Sequence, residues 1–267
     1  MPSSEPTPVQ TPTAVVEAME RATLAAVAPD ALHTVPGWLV PMDPGTIGRA
    51  HSAVPLSHDP AQQAALAAGV PEVAALYRAQ GFKPVFRLPD SSAVLHQAVA
   101  ALGGTAHEPT WVMQGAVDGL GRAVRNPHGE PPAGLHLRVD DTPGAGWQAL
   151  YLGEGFDPVD GACRVRNLSR AACNRYVTAE LHGEPVACGA ASLSHGWLGV
   201  HGMRTALAHR GQGWAAWVLR AMAELAHAHR VERVFLQVGA ANPSAQRLYQ
   251  RAGLVRAWGY AYWRLSA

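Results

Sequence analysis

Hydrophobic positions along the chain recur at two spacings, one typical of helices and one typical of strands. The clearest helical run covers residues 214–229, WAAWVLRAMAELAHAH, where apolar side chains return every three or four positions. The stretches 176–182 and 184–194 are rich in Val, Ala and Tyr and are bounded by turn residues, which predicts strands. The pattern therefore predicts a succession of short helices and strands.

Both halves of the chain mix the two kinds of element. In the front half the pattern predicts helices at 15–27, after Asp59-Pro60, from Pro71 to Gly81 and at 91–102, and strands at 34–42, 48–56, 83–88 and 110–117. In the back half it predicts helices within 142–173, at 214–229 and at 243–253, and strands at 135–139, 176–182, 184–194, 196–205, 231–238 and 255–265. Antiparallel strands followed by strand–helix alternation indicate an α/β (α+β) fold with a mixed, largely antiparallel sheet flanked by helices.

The segment RNPHGEPPAG, dense in Pro, Gly and Asn, is the best candidate for a linker. The Pro-, Ser- and Thr-rich start has no basic region and no apolar core, so it is expected to be a disordered tail and not a signal peptide. The predicted organisation is a tail at 1–12, a smaller α/β domain at 13–124, a linker at 125–134 and a second domain at 135–267.

A short sequence pattern is weakly repeated in the two halves of the chain. The pattern Pro71, Leu76-Tyr77, Gly81 has the same spacing as Pro243, Leu248-Tyr249, Gly253, and a strand follows each copy. A Leu-Tyr pair on an amphipathic helix is common, yet the shared position before a strand favours a diverged duplication.

Composition narrows the possible functions. A net charge of +1 gives no electrostatic case for nucleic acid or a membrane surface, and no run of about eighteen apolar residues is present. The 3 cysteines have no close pairing, which favours free thiols in a reducing, cytoplasmic setting. Histidines at helical ligand spacing are not found, so no metal is expected.

The most informative motif is HRGQGWA, residues 209–215, between a predicted strand and the helix at 214–229. The first N–H groups of a helix lack internal partners and lie at the positive end of its dipole, and glycine lets an anion approach the backbone. The motif indicates a phosphate or pyrophosphate site or, alternatively, a simple turn. It lacks the Gly-Lys-Ser/Thr ending of a P-loop and the third glycine of a dinucleotide fingerprint.

Residues beyond the motif favour the first interpretation. The order strand, Arg210-x-x-Gly213-x-Ala215, helix, strand, Asn242, then Ala245-x-x-Leu248-Tyr249-x-x-x-Gly253-Leu254 and a last strand resembles the GNAT superfamily of acyl-CoA N-acyltransferases over about residues 132–267. The segments GWLVP, RAHSAVPL and LYRAQGFKPVFRLP more weakly resemble the degenerate first unit of tandem bacterial GNAT proteins. Leu207 stands where family members often have Pro.

The resemblance implies an acetyltransferase that uses acetyl-CoA without a metal, with 135–267 as its catalytic domain. The loop would bind the pyrophosphate of coenzyme A, the strand edge before it would pair with the pantetheine arm, and Asn242 would hold the arm from the other side. The implied cofactor-binding residues are Met203, Arg204, Thr205, Arg210, Gly211, Gln212, Gly213, Trp214, Ala215 and Asn242. The front unit, without an equivalent loop, is expected to wall the acceptor pocket.

Two residues are candidates for catalysis. Tyr249 would be the general acid that protonates the leaving thiolate, or it is a core aromatic side chain. His201, on the same side of its strand as Thr205, would be the base or is a buried structural histidine. Glu180 is a second candidate base, and a water chain could replace both.

The expected reaction is direct attack of a primary amine, on a small molecule or peptide, on the thioester. An acyl-CoA-binding regulatory protein without turnover and a protein binding another nucleotide remain alternatives. The candidate acceptors include an amino acid, a polyamine, an aminoglycoside, a thiol-precursor amine and a protein N-terminus. The chain is expected to be a monomer or a homodimer. The aromatic tail WGYAYW is either a dimer surface or core.

Overall fold

The computed structural model describes residues 11–124 and 131–266, and residues 1–10 of the predicted tail and 125–130 of the predicted linker lie outside this part. Within the described part the helices are α1 (Thr13–Val27), α2 (Gln63–Ala68), α3 (Val70–Ala79), α4 (Ala93–Ala100), α5 (Ala145–Leu152), α6 (Pro158–Arg170), α7 (Trp214–Ala228) and α8 (Pro243–Arg251). The strands are β1 (Ala31–Val35), β2 (Trp38–Met42), β3 (Val54–Pro55), β4 (Val85–Pro89), β5 (Gly104–Ala116), β6 (Leu135–Asp140), β7 (Asn174–Leu181), β8 (Glu184–Ser194), β9 (Trp197–Thr205), β10 (Arg233–Gly239) and β11 (Val255–Leu265).

One sheet of eight strands runs through the described residues in the order β4-β11-β5-β10-β9-β8-β7-β6. Neighbouring strands are antiparallel except β9 and β10, which are parallel. The parallel pair needs a crossover, and α7 supplies it. The predicted fold class, a mixed and largely antiparallel sheet with helices on its faces, is confirmed.

The N-terminal and C-terminal halves share this sheet. Strand β5, from the front half, lies between β10 and β11, and β11, the last strand, lies between β4 and β5. Each half thus places one strand between strands of the other. The aromatic tail is consequently core, because Tyr260 and Tyr262 of β11 are buried.

Helices cover both faces of the sheet. Leu236 of β10 packs in a core with α7 and α8, whereas its neighbour Phe235 points to the opposite face and packs with Met19 of α1. Helix α5 packs on β7 and β8 from the α1 side, through Trp147 and Tyr151. We call these the α7 face and the α1 face. No helix in the described ranges is both long and apolar enough to cross a membrane.

The first 3 strands form a small separate sheet in the order β1-β2-β3. The strand predicted at 48–56 is wrong: Gly48–Ala50 forms a 3-10 turn and only Val54–Pro55 is extended. Pro55 lacks the N–H that a longer ladder would need, and both Ala50 of the turn and Val54 of β3 are buried in a core beside α1. The turn reaches the main sheet, where Arg49 donates a hydrogen bond to Gln237 of β10 at 3.3 Å.

The order of the elements aligns the two halves of the chain differently from the repeated sequence pattern. The order α3-β4-α4-β5 in front corresponds to α7-β10-α8-β11 behind, so α4 is the counterpart of α8. The repeated sequence pattern instead aligned α3 with α8. Both are short amphipathic helices that end at a glycine with positive φ, Gly81 at 78° and Gly253 at 79°, and this shared ending explains the similarity.

Candidate active site

The site begins where β9 and β10 separate. Their parallel ladder ends at the pair Val200 and Leu236, while β9 continues to Thr205 and β10 to Gly239. Beyond that pair each strand keeps its outer partner, β8 for β9 and β5 for β10, but the edges that face each other are unpaired. Backbone N–H and C=O groups therefore face a gap in the middle of the sheet, where they can bind another extended group.

A β-bulge in β9 lies at this gap. Ala190 of β8 is opposite His201 and Cys188 is opposite Arg204, so β9 carries one extra residue between them. Gly202 adopts φ 58°, and its carbonyl oxygen accepts a hydrogen bond from the buried Tyr151 hydroxyl. A side chain at Gly202 would collide with that hydroxyl. Tyr151 thereby fixes the bulge and the direction of the N–H groups that follow it.

Helix α7 begins beside the gap with a bare N-terminus. Its N-cap is Gly213, with φ 93°, and no side chain caps the helix. Gly211 also has positive φ, 77°, and a Cβ at either glycine would meet nothing within 4 Å. The first N–H groups of α7, the dipole end and the open space form a cradle suited to an anion. The exposed Arg210 adds a positive charge there, with its guanidinium 5.2 Å from the centre of the Phe156 ring.

A cavity of about 1150 Å³ connects the gap with this helix N-terminus. The residues predicted from the sequence as cofactor-binding line it, as do the two first candidates for catalysis: His201, Met203, Arg204, Thr205, Arg210, Gly211, Gln212, Gly213, Trp214, Ala215, Asn242 and Tyr249. Glu180, the second candidate base, is not among the lining residues. Glu180 lies on β7, next to the edge strand β6, and its carboxylate is 3.7 Å from the guanidinium of Arg138.

On the α7 face, α8 contributes Asn242 and Tyr249. The Asn242 side-chain oxygen accepts the Ala245 N–H at 3.1 Å and so caps α8, which leaves the Asn242 amide NH2 as the group that can donate into the cavity. Tyr249 is 6% exposed, and burial raises the pKa of its hydroxyl to about 12. Its phenol is therefore protonated at neutral pH.

His201 lies on the α1 face, 2% exposed. Its Nε2 is 3.1 Å from the Ser192 hydroxyl, and its Nδ1 has no partner among the described residues. Burial, together with the charge of Arg49, lowers the pKa of His201 to about 3. Such an imidazole is neutral at pH 7 but holds an added proton weakly, which works against the predicted role as base.

Sequence reasoning did not anticipate the residues that line the cavity on the α1 face. Gln237 of β10 accepts hydrogen bonds through Oε1 from the Tyr260 hydroxyl at 2.8 Å and from Arg49 at 3.3 Å. The Tyr262 hydroxyl is 3.4 Å from that of Tyr260. Arg49 belongs to the 3-10 turn of the front half, so that half does contribute to the cavity wall. The alternating aromatic residues of the last strand were the available signal for two of these side chains.

The cavity thus opens on both faces of the sheet through the gap. The α7 face presents the helix N-terminus, Asn242 and Tyr249, and the α1 face presents Arg49, Gln237 and His201. Two molecules could approach each other from opposite sides and meet at the bulge. Within residues 11–124 and 131–266 no group of three or more His, Cys, Asp or Glu side chains is arranged to hold a metal ion.

Comparison with known proteins gives this arrangement a context. A protein-family model described as probable histone acetyltransferase Rv0428c C-terminal matches residues 13–263, nearly the whole chain and both of its halves. No curated protein sequence matches the chain.

Several solved structures share the fold over almost their full length. The GCN5-related N-acetyltransferase from Kribbella flavida is 16% identical, with a TM-score of 0.68 over 95% of this chain and 96% of that one. The GCN5-related N-acetyltransferase from Sphaerobacter thermophilus is 17% identical, with a TM-score of 0.57 over 96% and 93%. A tandem GNAT protein from the clavulanic acid biosynthesis pathway is 14% identical, with a TM-score of 0.58 over 94% and 95%. At such identities the likeness concerns the fold.

Proposed function

The chain belongs to the family described as probable histone acetyltransferase Rv0428c C-terminal, within the GNAT superfamily, and on that premise we propose that it transfers an acetyl group from acetyl-CoA to a primary amine. The observation that carries the proposal is the connection, within one cavity, of an uncapped helix N-terminus and an unpaired strand edge. The first suits a pyrophosphate and the second suits an amide-bearing arm.

The α7 face fits coenzyme A chemically. The N–H groups at Gly213–Ala215 would bind the pyrophosphate, and Arg210 would add charge. The unpaired edge of β9 from Met203 to Thr205 would pair with the pantetheine amides, and the Asn242 amide would donate from the α8 side. When bound, acetyl-CoA supplies an activated carbonyl carbon with a thiolate leaving group.

Within this proposal the bulge and Tyr249 carry the chemistry. Backbone N–H groups after Gly202 would stabilise negative charge on the thioester oxygen as the amine attacks. Complete proton transfer from a phenol of pKa about 12 to a thiolate whose acid has a pKa near 8.5 is uphill by about 5 kcal/mol. Tyr249 would therefore stabilise the departing sulfur by a hydrogen bond, and the proton would come from the attacking amine.

The amine must lose a proton before it attacks. An ammonium group with a pKa near 10 would give its proton to His201 only against a difference of about 7 pKa units, roughly 10 kcal/mol. We therefore propose that the amine loses this proton to bulk solvent before it binds, which at pH 7 costs about 4 kcal/mol for an amine with a pKa near 10. The His201–Ser192 pair would position β9 beside β8. The weak base is also the feature that favours the second candidate function, an acyl-CoA-binding protein without turnover.

The first test of the proposal is the binding of acetyl-CoA, measured by calorimetry. Acetyl-CoA should bind the wild type, and Gly213→Glu should weaken binding by about 100-fold or more because it places a carboxylate in the pyrophosphate cradle. The matched control is Gly183→Glu, in an exposed turn, which also has positive φ (84°) and open space around its Cβ. The two substitutions carry the same backbone strain, so a difference between them reports the ligand.

Release of free thiol from acetyl-CoA then separates the two candidate functions. An amine that accelerates thiol release with stoichiometric N-acetylation establishes the transferase. Binding without turnover over amino acids, polyamines and lysine peptides would favour the regulatory protein. A folded wild type that does not bind acetyl-CoA would contradict both.

A further inference from the structure

One arginine of the cavity has no role in the proposed cofactor site. Arg49 lines the α1 face, is only partly exposed, and hydrogen-bonds through its guanidinium to the neutral Gln237. No carboxylate of the described residues forms an ion pair with it: Glu20, whose charge interacts with that of Arg49, is paired with Arg87 at 2.6 Å. A partly buried guanidinium without a counter-ion pays a desolvation cost that an opposite charge would offset.

The other cavity arginines are accounted for differently. Arg164 and Arg204 both pair with Asp160, at 2.6 and 3.4 Å. Arg210, Arg247 and Arg251 are exposed and belong to the loop and helix of the α7 face, where the phosphates of coenzyme A would lie. Among the described residues that line the cavity, Arg49 is therefore the arginine of the α1 face that has no carboxylate partner.

The guanidinium of Arg49 is held in position. The preceding Gly48 lies so close to Tyr262 that a Cβ there would be 2.8 Å from the aromatic ring. Gln237, which accepts from Arg49, also donates to Thr23 of α1 at 3.1 Å and accepts from Tyr260, so its amide orientation is fixed on both sides. A pre-oriented guanidinium fork suits a planar carboxylate and loses little entropy on binding it.

The cavity wall has little to offer a polycation. Among the lining residues the one carboxylate is that of Glu108, and Arg264 already pairs with it at 2.6 Å. A lysine-rich tail would bring further positive charge against Arg49 without a free acidic partner.

We propose that Arg49 binds a carboxylate of the acceptor, so that the acceptor is a small amine that also carries a carboxylate, such as an amino acid, and not a basic histone tail. This inference rests on the proposed acetyl transfer. The carboxylate on Arg49 would anchor the acceptor at the α1 face with its amine directed to the gap between β9 and β10.

The test compares each acceptor with its own neutral analogue. The twenty L-amino acids, β-alanine and γ-aminobutyrate are measured against the corresponding amides, together with a histone H3 tail peptide. Binding to the protein–desulfo-CoA complex is followed by calorimetry and turnover by thiol release from acetyl-CoA. We expect at least one acid to exceed its amide by about tenfold or more in affinity and in turnover.

Variants link the preference to the residue. Arg49→Gln should abolish the difference between acid and amide while acetyl-CoA binding is retained, and Arg49→Lys should keep part of it. Arg78→Gln, at an exposed position on α3 that does not line the cavity, is the charge-matched control and should keep the preference in full. If Arg49→Gln does not fold, the proposal is still tested by the preference for acid over amide in the wild type and by its partial loss in Arg49→Lys.

The inference is overturned if amides or the histone peptide equal the acids, if no acid binds while desulfo-CoA does, or if Arg49→Gln keeps the preference. Failure of the proposed function has a separate signature. In that case the wild type does not bind acetyl-CoA, or binds it without releasing thiol for any amine.

Discussion

Met113, in the front half of the chain, is paired with Leu236 on one side and with Arg256 on the other, so a strand of the N-terminal half is enclosed by two strands of the C-terminal half. Met113 also belongs to the core under α7, together with Val117 and Leu120. The enclosed strand β5 therefore supplies backbone partners and apolar surface to the part of the chain that carries the cavity.

We predict that a chain cut to residues 131–267 does not fold by itself. Without β5, the facing edges of β10 and β11 lose their hydrogen-bond partners, and the core under α7 loses its front-half side chains. Denaturant titration followed by circular dichroism should show no cooperative transition, and acetyl-CoA should not bind. Addition of residues 11–124 as a separate polypeptide should restore both. Cooperative unfolding of the 131–267 chain alone would establish it as an independent domain.

The sequence predicted local elements well and their partners poorly, for a physical reason. Helical periodicity is a property of neighbouring residues, so α7 was predicted at 214–229 and is Trp214–Ala228. Strand β5 was predicted at 110–117, whereas it spans Gly104–Ala116, because residues 105–109 are exposed and show no apolar alternation. Residues 105–107 are strand because β11 pairs with them. Long-range pairing of this kind leaves no local pattern.

A buried ion pair joins α1 to β4. Glu20 and Arg87 are 2.6 Å apart with 2% and 1% of their side chains exposed, and the Arg87 guanidinium lies 5.2 Å from the centre of the Tyr260 ring. We predict that Arg87→Met lowers the free energy of unfolding by about 3–5 kcal/mol, since it leaves a buried carboxylate without a counter-charge. The double variant with Glu20→Leu should recover most of the loss. Urea titration measures both.

The same helix provides the control. Glu17 and Arg21 also form an ion pair on α1, at 2.8 Å, but both side chains are well exposed. Arg21→Met should change the free energy of unfolding by less than about 1 kcal/mol because exposed pairs contribute little. Equal effects of the two arginine substitutions would mean that the buried pair is not a special contributor.

His201 should make the fold sensitive to acid. Its pKa falls from 6.5 to about 3 on folding, so the unfolded chain takes up a proton that the folded chain refuses. The corresponding stability is fully present above pH 6.5 and is lost as the pH falls towards 3. Between pH 6.5 and pH 4 the wild type should lose roughly 3 kcal/mol more than His201→Gln does. Urea titrations of the two proteins across this range give the comparison.

The variant His201→Gln also tests whether His201 accepts the proton of the amine. A direct base contributes about 10²–10⁴ to the rate, so loss of the imidazole would remove that factor. We expect His201→Gln to lower kcat by less than about tenfold, because in the proposed reaction the amine loses its proton to bulk solvent before it binds. Parallel stability curves would contradict the low pKa of His201, and a fall in kcat beyond about 100-fold would restore His201 as the base.

The part of the candidate site that could be predicted is formed by residues that are adjacent in the sequence. HRGQGWA predicted an anion cradle because glycines before a helix have that consequence wherever they occur, and the structure places Gly211 and Gly213 at positive φ in open space. Arg49 and Gln237 lie 188 residues apart and meet only because the turn of the front half reaches the main sheet. Neither stands in a motif, so the acceptor side of the cavity had no sequence signature.

Tyr249→Phe isolates a single hydroxyl. The ring is buried among apolar side chains of the α7 face and should pack as before without the hydroxyl, so the fold and acetyl-CoA affinity should be retained. A hydrogen bond to the departing sulfur forms only as the thioester breaks. Its loss should therefore lower kcat by about 100-fold and leave KM for acetyl-CoA nearly unchanged. Steady-state kinetics with any amine found active measures both constants.

A second tyrosine separates chemistry from stability. Tyr77 of α3 is fully buried in another core and donates a hydrogen bond to the Pro41 carbonyl at 2.9 Å. Tyr77→Phe should cost about 1 kcal/mol of stability and leave kcat unchanged, the opposite of Tyr249→Phe. The pH profile adds an independent check: with a pKa of about 12, the Tyr249 phenol gives the wild type no alkaline loss of kcat below about pH 10. If an alkaline limb below that pH is present in the wild type and absent in Tyr249→Phe, the tyrosine titrates as a true general acid, and the hydrogen-bonding role proposed for it is wrong.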